Sequence, residues 1–173
     1  MQRARALLLA DVLREMREQD GGHFPAEAWN EIHRSFAIPY VELVIPRRAA
    51  AGHLEFFLSR READDPNWPG RPWHIPGGIW RVHQTMDEAC NGVASRELGI
   101  SVASSAEVMT YKWPNHPYAN PISHVCVCVP STAPTETEAA RFWPSAQLPQ
   151  PMLMHHTEFL MTCQRHLSGG KSE

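Results

Sequence analysis

One carboxylate, Glu97, lies where a helical pattern calls for an apolar residue. On a helical projection, the apolar stripe of this segment consists of Met86, Ala89, Cys90 and Val93. Glu97 follows Val93 by four residues and falls near the middle of that stripe. A buried carboxylate must be paired, protonated or bound to a metal ion, because an isolated buried charge is too costly. The alternative is that Glu97 lies at the helix end, where the stripe runs out into solvent.

A glycine pair precedes this helix. Pro76, Gly77 and Gly78 follow a short apolar segment, Trp73–Ile75, which we predict to be a strand. Paired glycines let the backbone approach a ligand closely, and they expose carbonyl oxygens that a hard cation can use. A Pro-Gly-Gly sequence on its own indicates only a turn. Together with an acid at the end of the following helix, it indicates a site for a divalent cation.

The segment from Gly78 to Ile100 resembles the Nudix box, G-x5-E-x7-R-E-U-x-E-E-x-G-U, in which U is apolar. Aligned on Gly78, the register is kept without insertion. The matching positions are Ala94 at the apolar position, Glu97 in the Glu-Glu pair, and Gly99 and Ile100 at the end. Four functional positions differ, where this sequence has Gln84, Gly92, Val93 and Arg96.

The resemblance implies magnesium-dependent chemistry. In Nudix proteins, carboxylates of the box helix hold magnesium, which bridges a pyrophosphate and activates water. Carried over to this chain, one Mg²⁺ or Mn²⁺ would be held by Glu97, the carbonyl of Gly78 and the amide oxygen of Gln84. Arg96 would repel a second metal ion but could neutralise phosphate. Glu138 or His83 would handle protons.

The flanks resemble the GDP-mannose mannosyl hydrolase branch of Nudix proteins over roughly residues 38 to 168. The likeness rests on Glu42 in "VELVIP", Trp73 before "PGG" and the strand "HVCVCV". It implies a nucleotide sugar as substrate, with Glu42 and Trp73 beside it. That branch uses an arginine of the box helix where this sequence has Gly92.

Further residues have the chemistry to contact a substrate. Arg60, at the end of a predicted strand, and Arg81, in the glycine loop, could hold phosphate, although Arg60 could equally be a solvated strand end. Trp113 and Tyr118 lie in a proline-rich loop and could stack on a base or sugar. The alternative is a proline-stiffened loop with buried aromatics. Glu138 could likewise belong to a solvated acidic loop, and His83 could be a surface histidine.

The remaining sequence supplies the elements that position these residues. Apolar spacing predicts a helix over residues 3 to 18, and Pro25 opens a second short helix. The runs "YVELVIP" and "HLEFFLSRR" predict an antiparallel pair. Thr85 should cap the box helix and Gly99 should end it.

We therefore expect an α/β fold, a Nudix-like α/β/α sandwich with a mixed sheet, over residues 37–168. Residues 1–36 would be an N-terminal helical extension and residues 169–173 a disordered tail.

Composition limits the partners. The chain of 173 residues has a formal net charge of −3, which gives no basic footprint for nucleic acid. No apolar run approaches the length that spans a bilayer. The four cysteines have no zinc-type spacing, which indicates a reducing, cytoplasmic setting. The N-terminal helices and exposed aromatics would suit a homodimer.

The expected function is a magnesium-dependent hydrolase of a nucleoside diphosphate derivative, such as a nucleotide sugar. The alternative is a catalytically weak or inactive Nudix domain that binds a nucleotide-like ligand or a protein partner.

Overall fold

A computed structural model describes residues 2–18 and 26–169 of the chain. The helices are α1 (Arg3–Glu18), α2 (Ala26–Ser35), α3 (Met86–Leu98) and α4 (His156–Gly169). The strands are β1 (Ala37–Val44), β2 (Pro46–Arg48), β3 (Leu54–Arg60), β4 (Trp73–His74), β5 (Gly77–Ile79), β6 (Val102–Lys112), β7 (Asn120–Pro130) and β8 (Ala140–Pro144). None of the described helices is long and apolar enough to cross a membrane.

The first sheet is mixed and has the order β5-β1-β7-β6. β1 runs parallel to β7, from Ala37 opposite Asn120 to Val44 opposite Val127. The pairs β1–β5 and β6–β7 are antiparallel. The central strand β1 is buried along its second half, as expected for a strand covered on both faces.

The second sheet is antiparallel and is built around β3, which pairs with β2, β4 and β8. The predicted pairing of "YVELVIP" with "HLEFFLSRR" was therefore wrong for most of the first run. Tyr40–Val44 belongs to the first sheet, and pairing with β3 begins at Ile45, whose carbonyl accepts from the Phe57 N–H (3.0 Å), and continues through β2. The chain changes sheet near Ile45, which sequence alternation alone does not reveal.

Two apolar cores lie on opposite sides of the β layer. One places Ala89, Cys90 and Val93 of α3 against β1 and β7. The other places Phe159 and Leu160 of α4 against residues from both sheets. This arrangement confirms the α/β/α layering. Alternation along β1 points Val41 and Leu43 towards α3, and Glu42 and Val44 towards the α4 side.

Local signals define the ends of α3. The Thr85 hydroxyl accepts a hydrogen bond from the Glu88 backbone N–H (3.2 Å), and the Glu88 carboxylate accepts one from the Thr85 N–H (2.7 Å). Gly99 ends the helix in the left-handed conformation (φ 66°), which glycine adopts without a steric cost. The predicted bounds of this helix are confirmed.

The N-terminal helices differ in their packing. α1 covers the predicted range, but its apolar side chains, such as Leu7 and Leu8, are 59% and 64% exposed. α2 packs against β1 and β7, and the Asn120 side chain donates to the Arg34 carbonyl at its end (2.8 Å). Pro25 and residues 170–173 of the expected tail lie outside the described residues, while Gly169 belongs to α4.

Candidate functional site

Gly77 lies between two carboxylates at the edge of the first sheet. It is opposite Glu42 in the β1–β5 register. A β-carbon on residue 77 would overlap the Glu42 carboxylate and crowd the Val41 carbonyl. The Gly77 backbone also interacts with the Glu97 carboxylate, which offsets part of the rise in the pKa of that acid caused by burial. Glycine is needed here for a close approach, which brings an acid of β1 and an acid of α3 to one point.

The Glu42 carboxyl is buried, with 6% exposure. Burial raises its pKa to about 8, and the nearby charge of Glu97 acts in the same direction. The Ser123 hydroxyl donates to Glu42 (3.0 Å), and the Trp113 indole N–H donates to Ser123 (2.9 Å). Because an indole N–H only donates, the Ser123 proton is directed to Glu42. At neutral pH this site therefore contains a carboxylic acid held by an ordered hydrogen-bond chain.

Glu97 is neither fully buried nor fully solvated, so it lies between the two interpretations from sequence, a buried carboxylate and a solvated helix end. Its side chain keeps 27% of its surface exposed at the end of α3, and burial of the rest raises its pKa. Opposing this shift, the Arg96 guanidinium contacts the Glu97 carboxylate at 3.2 Å. Because Arg96 is 58% exposed, this ion pair contributes little to the free energy of unfolding. Each of the two residues can therefore exchange its partner for another ion. The Arg96 guanidinium also lies close to the α-carbon of Gly78.

Glu97 lines a cavity of about 390 Å³, here called the arginine cavity. Its lining residues are Ser59, Arg60, Arg61, Glu62, Asp65, His74, Arg96 and Glu97. Arg61 donates to Asp65 (2.8 Å), and Arg60 lies 5.4 Å from the Trp73 ring centroid. The structure thus brings together three residues singled out from sequence, namely Arg60, Arg96 and Glu97.

A second cavity of about 240 Å³, here called the aromatic cavity, adjoins the first. Its ring-bearing walls come from Trp29, His33, Tyr40, Trp68, His74, Trp113, His116, Tyr118 and His156, and Glu42, Arg61 and Ser123 add polar groups. Arg61 and His74 line both cavities. Trp113 and Tyr118 of the proline-rich loop line this cavity, and the buried ring of Trp113 packs edge to face on His116 (5.0 Å). Stacking of these rings on a base or sugar stays a prediction.

The glycine loop holds a third, separate cavity lined by Arg81, His83 and Gln84 together with Trp80. The Gln84 amide oxygen accepts a hydrogen bond from the Arg81 N–H (3.0 Å), and the Gln84 carbonyl accepts one from the Trp80 indole (2.9 Å). His83 is exposed and has a φ of 72°. The structure therefore places these three predicted residues outside the lining of both the arginine and the aromatic cavity.

Two further predicted residues lie beside the arginine cavity. Trp73 is buried in the core at 5% exposure, with its ring against Trp143 (5.2 Å) and Arg60. Glu138 is exposed in the loop before β8. Its neighbour Ala139 accepts a hydrogen bond from the Arg60 N–H (2.7 Å), so this loop adjoins the arginine cavity.

Comparisons with known proteins identify the architecture. No protein-family model matches the sequence, and no curated protein matches it. Among solved structures, a MutT/Nudix family protein from Listeria innocua matches with a TM-score of 0.64 at 14% identity, over 79% of this chain and 98% of that chain. This chain has the Nudix fold. A MutT Nudix hydrolase from Burkholderia pseudomallei gives 0.61 at 18% identity, over 74% and 98%.

The match that extends furthest along this chain among these structures is the Nudix domain of Shewanella oneidensis NrtR complexed with ADP ribose. Its TM-score is 0.61 at 13% identity, over 96% of this chain and 99% of that chain. These identities are low, so what is shared is the Nudix fold.

Within this Nudix fold, the oxygen donors near the box helix are few. Among the described residues, no group of three or more His, Cys, Asp or Glu side chains is arranged to hold a metal ion. Glu42 and Glu97 flank Gly77, and repulsion by the Glu97 charge contributes to the raised pKa of Glu42. A divalent cation would relieve that repulsion, and its preference is for oxygen donors. The described residues therefore fit at most one ion whose coordination ligand or water oxygens complete, and they offer no group of three such side chains for another.

Sequence reasoning missed the roles of His74 and His156 in the aromatic cavity. Ile75 donates its N–H to His156 Nδ1 (2.9 Å), and its carbonyl lies 2.8 Å from His74 Nδ1. Burial lowers the pKa of His74 to about 4 and that of His156 well below its usual value. The sequence offered one signal, which is that His74 lies inside the predicted apolar strand Trp73–Ile75. A buried histidine there requires a hydrogen-bond partner.

Proposed function

We propose that the protein is a Nudix-type hydrolase of a nucleoside diphosphate derivative, such as a nucleotide sugar. The observation that carries this proposal is the shared wall between the two cavities, formed by Arg61 and His74. One cavity has arginines beside a carboxylate, and the other has aromatic rings. A ligand that joins a diphosphate to a planar ring has parts suited to both.

The diphosphate would lie in the arginine cavity. Arg60, Arg61 and Arg96 offer planar guanidinium donors that match phosphate oxygens. Arg96 and Glu97 form an ion pair. On binding, a phosphate could pair with the Arg96 guanidinium and a cation could bind the Glu97 carboxylate. The bound ADP ribose of the NrtR Nudix domain supports a ligand of this class in this fold.

Magnesium or manganese would be held by Glu97 and by the Gly78 carbonyl from the box resemblance, with substrate and water oxygens completing the set. Such an ion supplies charge stabilisation at phosphate and a more acidic bound water. Gln84 would need to leave its hydrogen bond to the Arg81 N–H to join this set. Glu42, whose pKa is raised to about 8 by burial, can hold a proton near neutral pH, and Glu138 in the loop beside Arg60 is a second candidate.

The test is Mg²⁺- or Mn²⁺-dependent turnover across ADP ribose, GDP-mannose, and UDP- and ADP-sugars. Products are separated by chromatography, because a nucleoside monophosphate plus a sugar phosphate indicates attack at phosphorus, whereas a nucleoside diphosphate plus free sugar indicates substitution at the sugar carbon, as in the mannosyl hydrolase branch. Glu97→Gln should abolish turnover, while Glu15→Gln, an exposed acid on α1, should leave it unchanged. Equal activity of the wild type and Glu97→Gln would overturn the proposal.

One observation favours a second function, a Nudix domain that binds a nucleotide-like ligand without turnover. The Arg96–Glu97 contact can keep the carboxylate from a cation. Three acids of the box pattern are also replaced, by Gln84, Val93 and Arg96. Under this alternative, ligands of the same panel would raise the melting temperature while the wild type and Glu97→Gln are equally inactive.

A further inference from the structure

Helix α2 forms one wall of the aromatic cavity. Trp29 and His33 lie one helical turn apart on it, with their ring centroids 4.1 Å apart, and both line the cavity. The end of α2 is held by Asn120 of β7, whose side chain donates to the Arg34 carbonyl. The segment that sequence analysis set apart as an N-terminal extension therefore contributes side chains to the site.

His33 has an unsatisfied polar atom. The residue is 3% exposed, and its Nε2 is buried without a hydrogen-bond partner among the described residues. Buried polar atoms in proteins are nearly always hydrogen-bonded, so an unpaired one in the wall of a cavity indicates a missing partner. Burial lowers the pKa of His33, which keeps its ring neutral at pH 7.

The other histidines of the cavity have defined hydrogen-bonding roles. His74 Nδ1 donates to the Ile75 carbonyl, so Nε2 of the neutral ring is an acceptor. His156 Nδ1 accepts from the Ile75 N–H, and His116 Nδ1 accepts from the Ala119 N–H (3.1 Å). In both of these neutral rings, Nε2 carries the proton and is a donor. The cavity thus presents donors and an acceptor without charge.

The carboxyl and guanidinium groups of the cavity already have partners. The Glu42 carboxyl accepts a hydrogen bond from the Ser123 hydroxyl (3.0 Å), and the cation Arg61 is paired with Asp65. A phosphate or carboxylate would find little compensating charge here. At about 240 Å³ the cavity is below the roughly 300–1,000 Å³ that holds a whole drug-sized ligand. It therefore suits one uncharged ring system with polar edges.

We propose that α2 is part of the ligand site, and that His33 is a specificity-determining residue for an uncharged heteroaromatic ring, a nucleobase, in the aromatic cavity. This inference rests on the proposed function for the position of the diphosphate in the arginine cavity. It adds that the group in the aromatic cavity is a nucleobase and that binding of this base requires α2.

The experiment is calorimetric titration of the full chain, in Mg²⁺ buffer, with non-hydrolysable α,β-methylene analogues of ADP, GDP, CDP and UDP. Methylenediphosphonate is the probe without a base. At least one analogue should bind more tightly than methylenediphosphonate. His33→Ala should weaken that analogue by about tenfold, the value of one buried hydrogen bond, and leave methylenediphosphonate unchanged.

Two variants complete the test. His33→Gln, which keeps a donor and an acceptor, should retain part of the preference and decides the matter if His33→Ala does not fold. Glu31→Ala, an exposed change on α2, should bind like the wild type. The inference is overturned if no analogue binds, if the base adds no affinity, or if His33→Ala and His33→Gln do not alter the preference. Because turnover is not measured, these results are independent of the hydrolase test.

Discussion

Gly77 faces Glu42 across β1 and β5, and the Glu42 carboxylate fills the space where a β-carbon on residue 77 would lie. The backbone of Gly77 also reaches Glu97. Its conformation is not in the left-handed region, so the need for glycine is one of space alone. The absence of a side chain at Gly77 therefore leaves the room that lets the two acids approach the same backbone segment.

Gly77→Ala should destabilise the protein by about 1–3 kcal/mol, because overpacking displaces a buried side chain. Gly92→Ala is the matched control, since an added methyl on this helical glycine meets nothing nearer than the Gln84 amide at 3.8 Å. It should stabilise α3 by roughly 0.5–1 kcal/mol. Urea unfolding measures both. A Gly77→Ala variant as stable as the wild type would contradict the close approach.

Glu42→Gln should become more stable relative to the wild type as pH rises. The pKa of Glu42 is raised by burial from 4.5 to about 8, so the unfolded chain releases this proton at lower pH than the folded protein. Wild-type stability should therefore fall between about pH 4.5 and 8, by on the order of 5 kcal/mol from this group. Glutamine does not titrate. The measurement is urea unfolding of both proteins at pH 5 and pH 8, and a stability difference that does not vary with pH would contradict it.

Ser123→Ala should cost about 1–3 kcal/mol, because it leaves the buried indole N–H of Trp113 unpaired and removes the donor to Glu42. Ser131→Ala, at an exposed position, should change stability by less than about 0.5 kcal/mol. Thermal and urea unfolding of the two variants provide the comparison. If the two serines prove equivalent, the hydrogen-bond chain has no energetic importance.

Arg96→Glu should bind Mn²⁺ at least about tenfold more tightly than the wild type. The change removes the cation 3.2 Å from Glu97 and adds a second carboxylate beside it. Isothermal calorimetry measures the affinity. Arg165→Glu, an exposed charge reversal on α4, controls for the change in net charge. Equal affinities of the two variants would show that Arg96 does not compete with a cation.

Local signals predicted part of this structure well. The bounds of α3 follow from Thr85 and Gly99, whose effects act within a few residues of the chain. The approach of the Gly77 segment to Glu97 was expected from the glycine pair and from the resemblance to the Nudix box, and Arg60 ends β3 as predicted.

Long-range relationships could not be predicted in this way. The predicted partner of β1 was wrong, because strand pairing depends on segments distant in sequence. His156 reaches Ile75 across 81 residues, and no sequence spacing encodes that contact. Gln84 was in the expected register of the box, yet its hydrogen bond to Arg81 fixes it in the loop, which a pattern of residue types does not describe.

The most direct test of the central claim, that Glu97 holds a divalent cation against a diphosphate, is Mn²⁺ binding followed by electron paramagnetic resonance with methylenediphosphonate present. We expect saturable binding by the wild type and a loss of at least about tenfold in affinity for Glu97→Gln. Indistinguishable Mn²⁺ binding by the two proteins would contradict the account.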